Sequence, residues 1–487
     1  MRLYAVILVA LTTSTTFGAD LLHTFHSPSL TANDGFGNAI AADENYIVIV
    51  NQGGDSNGLT NNGTGYVFDR NTYELVSQMD GTQEKAGFKH AQISNDEVYL
   101  GSWPGSVDDV YRAGFGAVYD VTTGDLKYVI NNPTPAEDER FGSWAAPLGP
   151  GQWVVGGYKS DDQTPTGGVV FTFDDGVLNH TLFDPSVPAV GRADRFGYSV
   201  GTSDDYIVVG CYRDSEIQYG AGAVHVFDHD GNFIRSIDDP EINNIPHDIQ
   251  DLFGVSLSTK GHYAAIGAHD GDDAVSGTAQ VGSAFLYDLD TGEQLLRFDN
   301  PDLRLNRFGF KMAWLGDNIA VGTWNDPDDP YVYGDNGVYI FDGVTGELLE
   351  SLSDPVGPGY NYFGFEIASA GTDLLVGSHV SPDDGKVGVG LTYLYSGDAW
   401  KPLVGDADHN GVIDGSDYLR WASNYGSNNV RGPADGDFNY DGTVDGADYL
   451  LWAGAYGTVT AVVPEPSTLV LAMLAVVGLL TTRKRGV

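Results

Sequence analysis

A phenylalanine that recurs at a nearly constant spacing is the feature that most constrains the fold of this chain. It stands at positions 36, 88, 141, 196, 253, 308 and 363, so neighbouring copies are 52 to 57 residues apart. Glycine follows it in every copy except the second, in which Phe88 is followed by Lys89. A period of this size is typical of stacked supersecondary units rather than of one ordinary globular core.

Each repeat contains four short β-like runs that are separated by Gly and Asp turns. In residues 195–240 they include FGYSVG, YIVVG, GAVHVFD and FIRSIDDP, and the other repeats can be aligned on the same pattern. Four strands in each of seven repeats predict an all-β fold, a seven-bladed β-propeller.

The two ends of the repeat array predict how the ring closes. The last repeat ends with GLTYLY at 390–395 and has no fourth run, whereas LLHTFHSP at 21–28 precedes the first repeat without a repeat of its own. We therefore expect the strand at 21–28 to complete the last blade, which would remove an open sheet edge. The predicted propeller domain extends over residues 20–400.

The longer connections predict the face on which a ligand would bind. Connections between the second and third strands, and from the fourth strand to the next repeat, are longer and more variable than the other turns. In a propeller both classes emerge on one side, and variable loops on a rigid scaffold usually carry recognition. Aromatic side chains there could stack on sugar rings. The candidate ligand-binding residues are Trp103, Trp144, Tyr212 and Trp324.

The Phe-Gly motif and the Gly-led third run resemble FG-GAP repeats, the propeller repeats also found in integrin α-chains. The resemblance covers most of the chain and implies the fold, but it does not imply a particular function. Many members of that family carry a calcium loop between strands one and two. Here that link is a tight turn, such as TSDD at 202–205, so calcium inside the propeller is not expected there. The acidic loop at 269–277 is the remaining candidate for an ion in this domain.

Two acidic loops beyond Trp400 predict a calcium-binding domain at residues 401–459. Residues 405–426 and 436–457 both contain the pattern D-x-[DN]-x-[DN]-G-x-[IV]-D-x-x-D, which is the ligand spacing of an EF-hand loop. Two Ca²⁺ ions are therefore the predicted cofactors. The first loop offers Asp406, Asp408, Asn410, the Val412 carbonyl, Asp414 and Asp417 as ligands. The second loop offers Asp437, Asn439, Asp441, the Thr443 carbonyl, Asp445 and Asp448.

A helical pattern follows each calcium loop. Tyr418, Trp421, Ala422 and Tyr425 fall on one helical face, and residues 449–456 repeat this spacing. A duplicated loop and helix, with no helix before the loop, resembles a type I dockerin, and that resemblance implies docking to a cohesin domain. Gly415-Ser416 and Gly446-Ala447 replace the pairs that cellulosomal dockerins often carry. The partner is therefore either a different cohesin-like protein or none, the domain then serving as a calcium-rigidified spacer.

Both ends of the chain carry targeting patterns. Residues 1–19 predict a secretory signal peptide. Residues 460–487 contain Pro464-Glu465-Pro466, an apolar run at 469–480 and the basic cluster 483–485. This order resembles the PEP-CTERM sorting signal, which implies recognition and cleavage by an exosortase. The alternative is a plain membrane anchor, and either one predicts a protein sorted to the cell envelope or matrix, with this segment transiently or permanently in the inner membrane.

Composition narrows the function classes further. The chain has 24 Lys and Arg against 67 Asp and Glu, a formal net charge of −43, so it would repel nucleic acid. The one cysteine, Cys211, follows the strand YIVVG where other repeats carry small residues, and it is interpreted as a small packing residue. We find no catalytic motif such as G-x-S-x-G or H-E-x-x-H.

Three functions remain open from the sequence. The preferred one is a non-enzymatic surface protein that binds a glycan or protein ligand through its propeller face, with roles such as cell adhesion. The alternatives are a polysaccharide hydrolase or lyase that is assembled through its dockerin-like domain, and a structural component of the matrix. No catalytic residue is assigned.

Overall fold

The structure is a computed structural model in which part of the chain can be described. The described residues are 19–29, 31, 33–137, 139–158, 167–185, 194–214, 220–241, 251–270, 281–302, 306–324, 336–357, 362–383, 386, 388–428, 430 and 432–459. The predicted signal peptide therefore lies outside the described residues except for Ala19, and residues 460–487 lie wholly outside them.

Twenty-eight strands within the described residues form seven four-stranded antiparallel sheets. Blade 1 contains β2 (Phe36–Ala42), β3 (Tyr46–Asn51), β4 (Thr64–Asp69) and β5 (Leu75–Asp80). Blade 2 contains β6 (His90–Ser94), β7 (Glu97–Ser102), β8 (Phe115–Asp120) and β9 (Leu126–Asn131). Blade 3 contains β10 (Phe141–Gly149), β11 (Gln152–Gly157), β12 (Val169–Asp174) and β13 (Val177–Leu182).

The remaining blades repeat the same order. Blade 4 contains β14 (Ser199–Thr202), β15 (Ile207–Cys211), β16 (Ala223–Phe227) and β17 (Phe233–Asp238). Blade 5 contains β18 (Ser256–Lys260), β19 (Tyr263–Ala268), β20 (Ser283–Asp288) and β21 (Gln294–Asp299). Blade 6 contains β22 (Lys311–Leu315), β23 (Asn318–Gly322), β24 (Gly337–Phe341) and β25 (Leu348–Ser353). Blade 7 contains β26 (Glu366–Ala370), β27 (Asp373–Ser378), β28 (Leu391–Tyr395) and the N-terminal β1 (Leu21–His26).

The seven sheets form a closed ring around their innermost strands. The first strand of each blade contacts the first strand of the next, and β26 of blade 7 contacts β2 of blade 1. The predicted seven-bladed propeller is therefore the observed fold. Most residues of its outermost strands are exposed or half-buried, whereas the second and third strands of the blades are almost wholly buried.

The recurrent phenylalanine packs between neighbouring blades. All seven copies are fully buried. The backbone N–H of Phe253 donates to the Ala221 carbonyl of the preceding blade at 3.0 Å, and Phe36 donates to Val389 at 2.8 Å. Gly222 has a φ of +89°, and a Cβ on it would overlap the Phe253 carbonyl. Glycine at this position thus allows adjacent blades to approach each other closely.

The N-terminal strand closes the ring. Strand β1 pairs antiparallel with β28, with Phe25 opposite Thr392 and His26 opposite Leu391. This is the pairing that the sequence predicts for the strand at 21–28. Phe25 is buried and its ring lies 5.0 Å from that of Phe68 in blade 1, so the closing strand also links blades 7 and 1.

Within the described residues, two short helices follow the ring, α1 (Gly415–Asn424) and α2 (Gly446–Ala455). A 3₁₀ turn at Gly397–Ala399 precedes α1, and another at Pro433–Asp435 lies between α1 and α2. Asp414 and Asp445 cap the helices, and each forms a reciprocal capping box with the aspartate three residues later. We call residues 401–459 the C-terminal module.

Candidate functional site

The two classes of long connection lie on the same side of the ring. Backbone N–H groups of the strand-two-to-three loops donate to the connections between blades: Gly53 to the Asp34 carbonyl at 2.7 Å, and Trp324 to Asn306 at 2.9 Å. We call this side the loop face. It is the side on which the sequence predicts a ligand.

Aromatic rings and arginines alternate along the loop face over blades 2 to 4. The guanidinium carbon of Arg140 lies 4.8 Å from the centre of the Trp103 ring and 5.8 Å from that of Tyr158. Arg195 lies 5.6 Å from Tyr158 and 5.9 Å from Tyr212. These five residues form a row of cation–π contacts, which we call the ring–arginine row. Two of the predicted residues, Trp103 and Tyr212, lie at its ends.

The other two predicted residues lie elsewhere around the central opening. Trp324 packs beneath Arg307, whose guanidinium carbon is 4.5 Å from the ring centre. Trp144 belongs to the innermost strand of blade 3, and the Lys311 ammonium lies 3.8 Å from the centre of its ring. All four predicted aromatic residues are partly exposed. The structure therefore places Trp103 and Tyr212 in one row, Trp144 beside that row in a pocket shared with Trp103, and Trp324 at a separate position.

The arginines are functional candidates that the sequence reasoning missed. Arg140, Arg195 and Arg307 each directly precede the recurrent phenylalanine, with φ values of +54°, +66° and +49°. The left-handed backbone at this position holds each side chain over the loop face. Their signal in the sequence was a basic residue at the same repeat position in three of the seven copies.

Two adjoining cavities open on the loop face beside this row. An open cleft of about 510 Å³ is lined by residues that include Lys85, Lys89, Trp103 and Arg112. A pocket of about 230 Å³ shares Lys89 and Trp103 with it and leads to Trp144 at the central channel. The linings of both cavities together contain four Lys or Arg side chains against two carboxylates. This part of a strongly acidic protein is thus locally cationic.

Lys89 lies where the two cavities meet. It replaces the glycine that follows the phenylalanine in the other six repeats. Burial lowers the pKa of its ammonium group to about 8. Lys89 makes no ion pair with the described residues, and its ammonium nitrogen lies 5.9 Å from the centre of the Trp103 ring. Burial of an unpaired charge is costly, and an anionic ligand would offset that cost.

A largely buried ion pair joins the innermost strands of blades 6 and 7 in the lining of the smaller pocket. Lys311 of blade 6 lies 2.9 Å from Glu366 of blade 7. Burial raises the pKa of Glu366, and the charge of Lys311 opposes that shift. Beside them, burial lowers the pKa of His90 to about 3, and its Nε2 lies 2.9 Å from the Ala145 carbonyl. His90 is therefore neutral at physiological pH.

The two acidic loops of the C-terminal module are folded in the same way. In the first, the Asp406 carboxylate accepts hydrogen bonds from the N–H groups of Asn410 and Gly411, at 3.2 and 2.8 Å. Asp417 accepts from Ala407 at 2.7 Å. Carboxylate oxygens of Asp406, Asp408 and Asp417 all lie within 4.8 Å of one another.

The second loop repeats these contacts. Asp437 accepts from Asp441 and Gly442, at 3.2 and 3.0 Å, and Asp448 accepts from Phe438 at 2.8 Å. Asn439 takes the place of Asp408 and Asp441 that of Asn410, so each loop offers four carboxylates and one amide side chain. Burial raises the pKa of both Asp406 and Asp437, which N–H donation only partly offsets. A cation in each loop would reverse that effect.

Reciprocal contacts hold the two halves of the module together. The indole N–H of Trp421 donates to the Asp445 carbonyl at 2.8 Å, and that of Trp452 donates to Asp414 at 2.9 Å. Ile413 and Val444, at equivalent positions of the two loops, are buried. Each helix thus packs against the loop of the other half.

The module lies against blade 6 on the side opposite the loop face. His409 contacts Asp342, in the turn after β24, at 2.7 Å, and Asp317, in the turn before β23, at 3.6 Å. Asp317 also accepts from the Ala434 N–H at 2.7 Å. Burial lowers the pKa of His409, but its hydrogen bond to Asp342 and the negative charges of both aspartates outweigh this and raise the pKa to about 9.

Several sequence predictions concern residues that the structure does not describe. Most of the acidic loop at 269–277 falls in the undescribed segment 271–280, so its proposed ion site has no structural account. Among the described residues, no helix is both long and apolar enough to cross a membrane.

Comparisons with known proteins identify two parts of the chain. The FG-GAP repeat family matches residues 190–227, which span the start of blade 4. The PEP-CTERM protein-sorting motif matches residues 462–485. No curated protein matches the chain. The sorting motif implies processing by an exosortase and delivery to the cell envelope or the extracellular space. The chain is therefore a seven-bladed β-propeller with an FG-GAP repeat and a PEP-CTERM sorting signal.

Proposed function

We propose that this surface-sorted protein binds an acidic polysaccharide on its loop face and two calcium ions in its C-terminal module. The observation that carries the ligand assignment is Lys89, a largely buried ammonium group without an ion-pair partner among the described residues. It lies at the junction of two cavities that also present Trp103. A uronate polymer supplies both a carboxylate for the cation and a ring face for the indole.

The ring–arginine row supports a polymer rather than a small ligand. Its five side chains extend from Trp103 to Tyr212 across three blades, which is longer than a single sugar. Arginine recognises carboxylates through a planar fork of donors, while the aromatic faces provide apolar contact area. A neutral glycan would use the rings alone and leave the guanidinium groups without a charged partner on the ligand.

The calcium assignment rests on ligand spacing and on the arrangement of the loops. The first and last carboxylates of the first loop, Asp406 and Asp417, already face a common point together with Asp408. Gly411 and Gly442 adopt φ values of +78° and +83°, as the sharp turn in such a loop requires. The ligands proposed are the twelve residues named from the sequence.

The exposed helices of the module would provide a docking surface for a cohesin-like protein. Leu419 and Leu450, at equivalent positions of the two helices, are 64% and 70% exposed. Tyr425 and Tyr456 are each 61% exposed. His409 of the first acidic loop contacts blade 6 on the side of the ring opposite the loop face. The module would therefore hold the propeller with its loop face directed away from such a partner.

Replacement of Lys89 by glycine tests the ligand assignment. Lys89→Gly restores the residue found in the other six repeats, so the fold should be retained. We expect binding of polygalacturonate, measured by calorimetry, to weaken about tenfold, or about 1.4 kcal/mol. Dextran, a neutral polymer, should bind poorly to both proteins. As a control, Lys401→Ala removes an equal charge on the other side of the ring and should not change binding. Equal affinity of the parent and Lys89→Gly for polygalacturonate would contradict the proposal.

One observation favours a second function at the same site, elimination on a uronate polymer. Lys89 has a pKa of about 8, so part of it is a neutral amine near pH 8, and it lines the same cleft as His379, whose pKa is lowered to about 4 by burial and by Lys89. A neutral base there could take the proton beside the carboxylate. The neighbouring C–O bond would break, a C=C bond would form, and the leaving oxygen would gain a proton. Release of unsaturated oligosaccharides from polygalacturonate distinguishes this reaction from binding alone.

A further inference from the structure

Four potential metal ligands meet between blades 3 and 4, far from the calcium loops in sequence. They are Asp184, Cys211, Asp214 and His225, and each offers one donor atom within 4.8 Å of all the others. The side chains of Asp184 and His225 are each 1% exposed, Cys211 is fully buried, and the side chain of Asp214 is 7% exposed. We call these residues the interblade cluster.

Three separate segments bring these residues together. Asp184 follows β13 at the edge of blade 3, and Cys211 is the last residue of β15 in blade 4. Asp214 closes the turn after β15, with its N–H donating to the Cys211 carbonyl at 2.8 Å. His225 lies in the middle of β16. The cluster is therefore held by strands and a hydrogen-bonded turn.

The imidazole of His225 is arranged as a ligand would be. Its Nδ1 lies 2.9 Å from the Ser236 hydroxyl, which fixes the ring orientation. Its Nε2 is buried and has no hydrogen-bond partner among the residues that the structure describes. It points at Asp184 and Asp214, each 3.6 Å away, which is too far for a hydrogen bond. A buried nitrogen aimed at two carboxylates without bonding to either leaves room for an ion between them.

The distances between the donor atoms fit a tetrahedral metal site. The Cys211 sulfur lies 3.6 Å from Asp184 Oδ2, and His225 Nε2 lies 3.6 Å from the other oxygen of that carboxylate, Oδ1, and 3.6 Å from Asp214 Oδ2. With Zn–S near 2.3 Å and Zn–N or Zn–O near 2.0 Å, two ligands of a tetrahedral site are roughly 3.3–3.7 Å apart. Hard cations such as calcium prefer oxygen ligands alone, so thiolate and imidazole favour a transition metal.

Blade 7 shows the same position without metal-ligand chemistry. There Asp354, Ser378, Ser381 and Tyr393 occupy the places of Asp184, Cys211, Asp214 and His225. These four side chains bond to one another: Ser378 donates to Asp354 at 2.8 Å and lies 2.7 Å from Ser381, and Tyr393 donates to Asp354 at 3.3 Å. The network in blade 7 is thus complete without an ion. In blade 4, donors that bind transition metals replace the two serines and the tyrosine.

We propose that Asp184, Cys211, Asp214 and His225 bind one divalent transition-metal ion of the zinc class, which joins blades 3 and 4. Four protein ligands leave no open position, so the site is structural rather than catalytic. The proposal is independent of the ligand on the loop face and of calcium in the C-terminal module.

Cobalt substitution tests the site directly. The full chain is stripped of metal, saturated with Ca²⁺ so that the C-terminal loops are filled, and titrated with Co²⁺. We expect one equivalent to bind with a sulfur-to-cobalt charge-transfer band and the intense visible bands of tetrahedral cobalt, and Zn²⁺ should displace it. Absence of binding, or binding without the thiolate band, would overturn the proposal.

Variants that copy blade 7 provide the matched comparison. Cys211→Ser and His225→Tyr place in blade 4 the residues that blade 7 already accommodates, and Asp214→Ser completes the set. Each should fold, which circular dichroism of the metal-free protein checks, and each should lose at least 100-fold in Co²⁺ affinity. Asp406→Asn and Asp437→Asn, in the calcium loops, should leave the cobalt spectrum unchanged. An unchanged spectrum in Cys211→Ser and His225→Tyr would place the cobalt elsewhere and refute the assignment.

Discussion

The propeller and the C-terminal module achieve their stability in different ways. In the ring, every blade contributes second and third strands that are almost wholly buried, and the seven phenylalanines pack between blades. In the module, the described buried apolar residues beyond Trp400 are Ala407, Ile413, Ala434, Phe438 and Val444. A small core of this kind rarely folds unaided. From this difference we expect the ring to be stable by itself and the module to depend on bound ions and on its contact with blade 6.

Calcium removal should separate the two regions by the largest effect. Without Ca²⁺ the carboxylates of each loop repel one another, and the small core cannot compensate. We expect chelation to abolish hydrogen-exchange protection of peptides covering α1 and α2 while the blade strands keep theirs. Exchange measured by mass spectrometry on the full chain reports both regions in one sample.

A double variant sharpens this prediction. Asp406→Ala with Asp437→Ala removes the first ligand of each loop, and it should reproduce in calcium what chelation does to the parent. If α1 and α2 kept their hydrogen-exchange protection in the chelated parent, the module would fold without calcium, and the expected difference from the ring would be wrong.

Removal of a closing side chain should weaken the ring itself. Phe25 is 1% exposed and packs against Phe68 of blade 1, so Phe25→Ala leaves a cavity at the joint between the chain ends. We expect a loss of about 3–5 kcal/mol in the free energy of unfolding of the propeller. Denaturant titration at constant calcium measures it. Leu21→Ala, in the same strand but at a residue that is 44% exposed, is the control. Similar losses in both variants would argue against closure by packing at Phe25.

The contact between the two regions should contribute less than either core. His409 is 3% exposed and bridges two propeller aspartates, Asp317 and Asp342. His409→Asn keeps a residue that tolerates the φ of +54° but cannot reach both carboxylates. Loss of these bonds should destabilise the module by about 1–3 kcal/mol, read from its exchange rates in calcium.

An exposed charge pair provides the reference for that measurement. Lys401 and Asp398 lie 2.8 Å apart, with side chains 43% and 81% exposed. Lys401→Ala should change little, because exposed ion pairs contribute little. If His409→Asn changed the exchange rates of the module no more than Lys401→Ala does, the contact with blade 6 would not stabilise the module.

The smallest expected effect concerns pH and the loop face. Because burial lowers the pKa of Lys89 from 10.5 to about 8, its positive charge is present below pH 8 and is lost above it. Affinity for polygalacturonate should therefore fall by up to about tenfold as the pH rises from 7 to 9. Lys89→Gly should show a flatter profile, since it has no such group. The unliganded parent should gain stability between about pH 8 and 10.5, where the unfolded chain still holds the proton that folded Lys89 releases.

Sequence patterns predicted the fold correctly wherever a single short segment determines the local structure. The spacing of the phenylalanines predicted seven blades, and the missing fourth run after 390–395 predicted the position that β1 occupies. Trp103, Tyr212 and Trp324 were chosen as candidates because they follow strands in recognisable loops, whereas Trp144 lies within strand β10. Only Trp103 and Tyr212 share one row, since distances between loops depend on how the blades are placed around the ring.

By itself the sequence determined the number of blades, the closing strand and the ligand spacing of the two acidic loops, because each depends on local periodicity. Only the tertiary structure decided that Lys89 is buried between two cavities, that His409 meets blade 6, and that Cys211 lies among Asp184, Asp214 and His225. These neighbours come from segments that are distant along the chain. Their burial and charge depend on packing between blades, which no local pattern records.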